Sequence, residues 1–165
     1  MTTELHPLGF FLPENTRLLM LGSFPPPRAR WSMDFYYPNI QNDMWRILGL
    51  IFYGNKDAFL RDKKAFSEEK AKAFCREKGI GIGDTAMEVI RLKANASDKF
   101  LEVVRPIDPE KVLSQIPECV AIVVTGQKAM DTLLSVLPGT EEPKVGFSSE
   151  FSCMGRTVRL FRMPS

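Results

Sequence analysis

LLMLGSFPPPRARWSMDFYYPNIQNDMW, residues 18–45, is the stretch on which the interpretation of this chain turns. Its opening LLML is apolar and strand-like, and it stops at Gly22, where the chain enters a short proline-stiffened loop, GSFPPP. Gly22 and Ser23 carry almost no side-chain bulk, so the backbone there can come close to a ligand. Three consecutive prolines remove backbone donors and hold the loop extended, which fixes its shape before any ligand arrives. Beyond them lie Trp31, the aromatic triplet Phe35-Tyr36-Tyr37, and a polar cluster, Asn39, Gln41, Asn42 and Asp43, that opens a helix. Aromatic rings followed by amides suit a flat ring held by stacking and read by hydrogen bonds. A nucleobase is the ligand class this pattern predicts.

Working outward, four apolar runs read as strands: Arg17–Phe24, Gly79–Asp84, Cys119–Thr125 and Thr157–Met163. The first three are near-continuous Leu/Ile/Val runs without clean alternation, as expected of parallel strands covered on both faces. Helix-like segments lie between them. Asn42–Phe52 repeats apolar residues at Met44, Ile47, Leu48 and Ile51, and Phe59, Phe66 and Phe74 punctuate the charged stretch Lys56–Lys78 at about two-turn intervals. Asp84–Leu92, Pro109–Ile116 and Gln127–Leu137 complete the helical set. Alternating strands and helices predict an α/β fold, a three-layer α/β/α sandwich around a central, mainly parallel four-stranded sheet. In such sheets ligands bind beyond the carboxyl ends of the strands. Gly22–Pro27, Asp84–Thr85, Thr125–Gln127 and Met163–Ser165 would gather at that edge.

The 165 residues suit one domain, 1–165, with a full core, and 44% hydrophobic against 25% charged content is ordinary for a globular chain. A net charge of +2, with no polybasic arm, argues against binding nucleic acid by bulk electrostatics, though not against basic groups gathered on one face. The run Lys56–Lys78, with eight Lys/Arg against five Asp/Glu, reads as a solvated helix face. No apolar run approaches the ~20 residues that span a bilayer, and MTTELHPLGF is not a signal peptide, so a cytoplasmic protein without membrane contact is expected. Cys75, Cys119 and Cys153 are odd in number and widely spaced, which fits neither a disulfide framework nor a zinc or iron–sulfur ligand set. Free thiols, no metal and no cofactor are expected.

Residues 18–45 resemble motif 1 of the uracil-DNA glycosylase superfamily, in the branch that includes mismatch-specific and hypoxanthine-DNA glycosylases. There a strand ends in a G-x-x-P-type loop, followed by an aromatic and a run of the form H-P-x-N-x-F-W. GSFPP fills the loop, Tyr37 falls at the aromatic, and Asn42-Asp43-Met44-Trp45 matches N-x-F-W with Met in place of Phe. The GSFP form is most similar to the hypoxanthine-glycosylase-like branch. GIGIGDTAMEVIR (79–91) resembles that branch's second strand-plus-helix, VAIVVTGQKAMDTL (120–133) its third, and VRLFRMPS the strand leading into motif 2, an x-P-S tripeptide. Family members run on past this tripeptide into a loop that wedges into the DNA minor groove, whereas the sequence here stops at Ser165.

The resemblance implies a monofunctional, cofactor-free DNA glycosylase of base excision repair, acting as a monomer on DNA that holds a deaminated base. Such an enzyme flips the nucleotide out, holds the base in a pocket, and places a water against C1′ as the sugar gains oxocarbenium character. In the mismatch-specific branch an Asn of the loop positions that water. Phe24 stands at its place here and cannot, so by the hypoxanthine-type pattern the role passes to Asn42. Asn42 is equally suited to cap the helix it begins. Asp34 and Asp43 are fallback carboxylates, or solvated loop and first-turn acids.

Tyr37 is implied to stack on the base, with Tyr36 beside it and Phe24 and Met163 among the base-contacting residues; a core aromatic is the other assignment for Tyr37. Asp84, at a strand end, either reads a ring N–H of the base or caps the helix expected after it. Met163 occupies the position where motif 2 usually supplies a His or Asn donor. Gly22, Ser23 and Ser165, with Arg28 and Arg30 of the loop, are the phosphate and DNA contacts expected. The sole histidine, His6, lies in the N-terminal segment and is expected to take no part. The alternative function is a catalytically weak or inactive nucleic-acid or nucleotide-binding module on the same fold.

Overall fold

The computed structural model describes residues 2–93 and 97–165. In chain order they form β1 (Glu4–Leu5), β2 (Leu18–Gly22), α1 (Met44–Tyr53), β3 (Leu60–Asp62), β4 (Ala65–Phe66), α2 (Glu68–Lys78) and β5 (Ile80–Asp84). There follow β6 (Ala86–Arg91), β7 (Leu101–Pro106), α3 (Pro109–Ser114), β8 (Ala121–Thr125), α4 (Gln127–Leu134), β9 (Ser148–Cys153) and β10 (Arg156–Met163). The central sheet has the order β5-β2-β8-β10-β9, and its first four strands are parallel. These are the four strands that the apolar runs predict.

Alternation along β2 divides the core into two layers. Leu19 and Leu21 pack with Val112 and Leu113 of α3 and Met130 and Leu133 of α4 on one face. Met20 packs on the other with Trp45 and Leu48 of α1, Phe74 and Cys75 of α2, and Ile80 and Ile82 of β5. Both faces of the parallel strands are therefore covered, which is why their sequences lack polar alternation. The register sets Gly22 opposite Asp84 and Met163 opposite Thr125, so the carboxyl ends finish level. No helix among the described residues is long and apolar enough to cross a membrane.

Three expectations about elements are corrected. The segment predicted as a helix over Asp84–Leu92, and likened to a strand-plus-helix, instead holds strand β6, which pairs antiparallel with β7 and β1 in a separate three-stranded sheet. AMEVIR is short enough for its apolar residues to fit either period, and pairing partners far away in sequence decide for the strand. The charged stretch Lys56–Lys78 is helical only from Glu68; Leu60–Asp62 and Ala65–Phe66 form a small hairpin, and Ser67 caps α2 by accepting from the Lys70 N–H at 3.2 Å. The central sheet also gains a fifth, antiparallel strand. β9 is polar (SSEFSC) and folds back on β10 through a two-residue turn, Met154-Gly155, both at positive φ.

The N-terminal segment is part of the fold. β1 pairs with β6, and Phe11 bridges Ile82 of edge strand β5. β5 is a Gly/Ile alternation, and a Cβ at Gly83 would lie 2.0 Å from the ring of Phe10. Bare glycine there lets the segment lie flat against the strand and cover the sheet edge.

Candidate functional site

A cavity of about 540 Å³ opens at the carboxyl ends of the parallel strands. Its floor is Gly22 and Ser23 at the end of β2, Asp84 at the end of β5 and Thr125 at the end of β8. Phe24, Pro25 and Pro26 form one wall, Tyr36, Tyr37 and Asn42 another, and Ser97, Asp98, Lys99 and Ser165 the rest.

The proline loop is held from outside. Thr85 N–H donates to the Gly22 carbonyl at 2.8 Å and Ala86 N–H to that of Ser23 at 3.1 Å. The carbonyls of Pro25 and Pro26 accept from Arg91 Nη2 at 3.1 Å and Trp31 Nε1 at 2.8 Å. Prolines offer no N–H of their own, so Pro25 and Pro26 are tied to the scaffold through their carbonyls alone. The aromatic triplet is anchored by Trp45, which is fully buried, stacks on Phe35 and donates its Nε1–H to the Tyr36 carbonyl at 2.9 Å. Immediately beyond, Tyr37 adopts φ 53°, in the left-handed region that non-glycine residues seldom occupy. This turn brings the Tyr37 ring to the cavity. Its hydroxyl is buried near Thr125 without a well-formed hydrogen bond among the described residues. Burial, and then the charge of Asp84, push both the Tyr36 and Tyr37 hydroxyls well above the usual phenol range.

Asp84 caps no helix, because no helix follows it. Its Oδ2 lies 2.7 Å from His6 Nε2, with only 4% of the His6 and 7% of the Asp84 side chain exposed. The expectation that His6 takes no part is thus corrected: β1 carries it onto β6, and from there its ring reaches the strand end. Nothing in the sequence pattern marks Glu4–Leu5 as a strand, so the route of His6 to the site is not readable from it. Asp98 was missed as well. It sits in a short 3-10 turn before β7, and its Oδ1 accepts from Ser23 Oγ at 2.7 Å. Burial raises the Asp98 carboxyl above the ordinary carboxylate range, opposed by the Ser23 hydrogen bond and reinforced by the charge of Asp84. A polar stretch between two unpredicted strands carried no signal to single it out.

Of the other residues singled out in the sequence, the structure gathers Gly22, Ser23, Phe24, Tyr36, Tyr37, Asn42, Asp84 and Ser165 around this one cavity. Phe24 also packs into a small apolar cluster with Ala86, Val89 and Leu101. Asn42 Oδ1 accepts from Met44 N–H, the first of α1, at 2.8 Å, but the N-cap of α1 is Asp43, so Asn42 lies one residue before the cap as well as lining the cavity. Met163, Arg28, Arg30, Asp34 and Asp43 are not among the lining residues. Met163 is 44% exposed, and it is Ser165 that brings the chain end to the site. Arg28 stacks on Trp31 and forms an exposed ion pair with Asp34 at 3.0 Å. Arg30 lies exposed in the 3-10 turn after the prolines, and Asp43 is exposed at the start of α1.

No protein-family model matches the sequence, and no curated protein matches it. Among solved structures, the chain is similar to the solution NMR structure of a "putative Uracil DNA glycosylase" from Methanosarcina acetivorans. The two share 25% identity and a TM-score of 0.61 over 81% of this chain and 78% of that one. The α/β architecture around a mostly parallel sheet is thus a uracil-DNA-glycosylase-like fold.

Proposed function

We propose that this chain is a monofunctional DNA glycosylase that hydrolyses the N-glycosidic bond of a deaminated base, uracil or hypoxanthine, in DNA, a reaction of base excision repair. One observation carries the proposal. The cavity at the level strand ends combines tyrosine rings, two carboxylates and small loop residues, on a fold shared with the Methanosarcina protein. Its volume is in the range that encloses a small ring, and a base must leave the stack to be cut.

Tyr37 supplies the ring for stacking. Asp84 is the acceptor for a ring N–H, which uracil and hypoxanthine both present. Gly22, Ser23 and Ser165 leave room for the sugar and phosphate. Asn42 orients the attacking water through its amide group and the second lone pair of Oδ1, the first being used by Met44. Asp98 is the second candidate for that water, and a carboxylate there would also stabilise positive charge growing on the sugar.

The rival, a weak or inactive binding module, draws support from the engagement of Asn42 Oδ1 by the Met44 N–H and from the burial of Phe24. Purified protein incubated with uracil-, hypoxanthine- and xanthine-containing oligonucleotides, single- and double-stranded, decides between them. Alkali-labile abasic sites, without strand breakage before alkali, are expected from a monofunctional glycosylase. Binding of these oligonucleotides with every base left in place would sink the proposal in favour of the rival.

A further inference from the structure

His6 is the one histidine of the chain, and the site's chemistry as argued so far does not use it. Its surroundings fix which of its nitrogens carries the proton. Nδ1 faces two backbone donors, the N–H groups of Leu8 and Gly9, each at 3.2 Å. A nitrogen that accepts cannot itself be protonated, so the proton of the neutral ring sits on Nε2. Nε2–H then donates to Asp84 Oδ2 at 2.7 Å. The ring is clamped edge-on to Phe24, with centroids 5.3 Å apart, and tilted against Tyr36 at 5.8 Å. Tyr36 in turn donates its hydroxyl to the Gly9 carbonyl, and His6 N–H is bonded to the Met87 carbonyl at 2.8 Å. Asp84, Phe24 and Tyr36, three of the ring's neighbours, line the cavity.

The consequence falls on the other oxygen of Asp84. With Oδ2 occupied by a donor, Oδ1 is left beside Gly22, 2.8 Å from where a Cβ on that glycine would stand. The same point lies 3.9 Å from the Tyr37 ring and from Thr125 Oγ1, so Oδ1 faces the part of the cavity where a base would be held.

We infer that His6 is a specificity-determining positioning residue, a neutral Nε2–H donor that holds Asp84 as an oriented acceptor for a base ring N–H. The inference rests on the glycosylase proposal and names how its site would tell a deaminated base from its parent. Uracil N3 and hypoxanthine N1 carry hydrogen, whereas cytosine N3 and adenine N1 are acceptors at the corresponding position. A buried acceptor facing an acceptor leaves both unpaired, and a site built this way discriminates far more strongly than shape alone.

Because the chain has one histidine, two-bond 15N–1H spectra of the imidazole report on His6 without assignment. The expected spectrum at neutral pH is that of the neutral Nε2–H tautomer. Deoxyuridine and deoxyinosine should shift its Nε2 resonance, and deoxycytidine and deoxyadenosine should not. In single-turnover excision from uracil and hypoxanthine oligonucleotides, His6→Ala should lose about 10- to 100-fold, the scale for misplacing a group in a catalytic site. His6→Gln, whose terminal amide can donate to Asp84 Oδ2, should recover most of that loss, and melting temperatures of both variants confirm that they are folded. An Nδ1–H tautomer, an imidazolium, equal or absent responses to the four nucleosides, or a folded His6→Ala cutting at the wild-type rate would each overturn the inference. Wild-type protein that gives the expected tautomer and nucleoside response but excises no base would instead refute the glycosylase proposal and leave the role of His6 standing.

Discussion

Replacing Gly22 with alanine probes the site at its tightest point. The added Cβ would lie 2.8 Å from Asp84 Oδ1, short of the 3.4 Å at which ordinary contact begins, so something must move by about 0.6 Å. The carboxylate is not a free end, because its other oxygen is held by buried His6 at 2.7 Å. The backbones cannot part easily either: Gly22 and Asp84 are in register on neighbouring parallel strands, and the Thr85 N–H holds the Gly22 carbonyl at 2.8 Å. Overpacking a rigid contact costs about 1–3 kcal/mol. In a domain of this size that lowers the melting temperature by roughly 2–4 °C per kcal/mol. Scanning calorimetry of wild type, Gly22→Ala, Asp84→Ala and the double variant isolates the cause. Asp84→Ala removes the obstructing oxygen, so the glycine substitution should cost little in that background. The coupling should fall within the 0.5–3 kcal/mol found for touching residues, about the full Gly22→Ala penalty. A penalty of equal size in both backgrounds would refute the contact, and with it the placement of Asp84 Oδ1 over Gly22.

Asn42→Ala should lower stability by about 1 kcal/mol through loss of its hydrogen bond to the Met44 N–H. If it also orients the water, single-turnover excision should fall by ~10²-fold, and a destabilised but fully active variant would pass the role to Asp98. Tyr37→Ala should weaken binding of damaged oligonucleotide by about 1–3 kcal/mol, while Tyr37→Phe, which removes a buried hydroxyl without a well-formed partner, should leave affinity and melting temperature unchanged or higher. Equal losses of affinity for both would show that the ring is not what binds. Burial holds the Asp98 carboxyl above its unfolded value, so the native state keeps a proton that the unfolded chain releases. Its contribution is whole below about pH 4 and is lost as pH rises through the raised folded value. Asp98→Asn should therefore raise the melting temperature at pH 7 and not at pH 3, and identical shifts at both would contradict it. All three cysteines are buried, and burial pushes the Cys75 thiol up to about 12. A thiol reagent at pH 7 should modify none of them until denaturant is added, and rapid loss of one equivalent in native protein would count against this packing.

The parallel sheet was legible because strands covered on both faces must be apolar throughout, and Leu18–Leu21, Ile80–Ile82 and Ala121–Val124 state that directly. The site loop was legible for a similar reason, since glycine, serine and three prolines leave few shapes for residues 22–27. What the sequence hid depends on distant pairing. Ala86–Arg91 satisfies a helical spacing as well as a strand's, and only β1, some eighty positions earlier, and β7 decide between them. β9 has too little apolar content to announce itself, and its pairing with β10 rests on the turn at Met154-Gly155. His6 and Asp98 became visible only once β1, β6 and β7 had carried them to the cavity, so the second sheet and the missed site residues are one omission.

The packing of residues 6–11 against the edge strand β5 also has a consequence in time. Protein chains are made from the N-terminus, so the segment that carries His6 to Asp84 is made well before the strand it lies on. His6 must wait for Asp84, 78 residues further on, and Phe11 for Ile82. At ~5–20 residues per second the wait lasts several seconds. Throughout it, Leu8, Phe10 and Phe11 lack the surface they belong on, and nothing yet made can pair with β1. The contact of His6 with Asp84 thus becomes possible before β8, β10 and Ser165, which complete the sheet and the cavity, have been made.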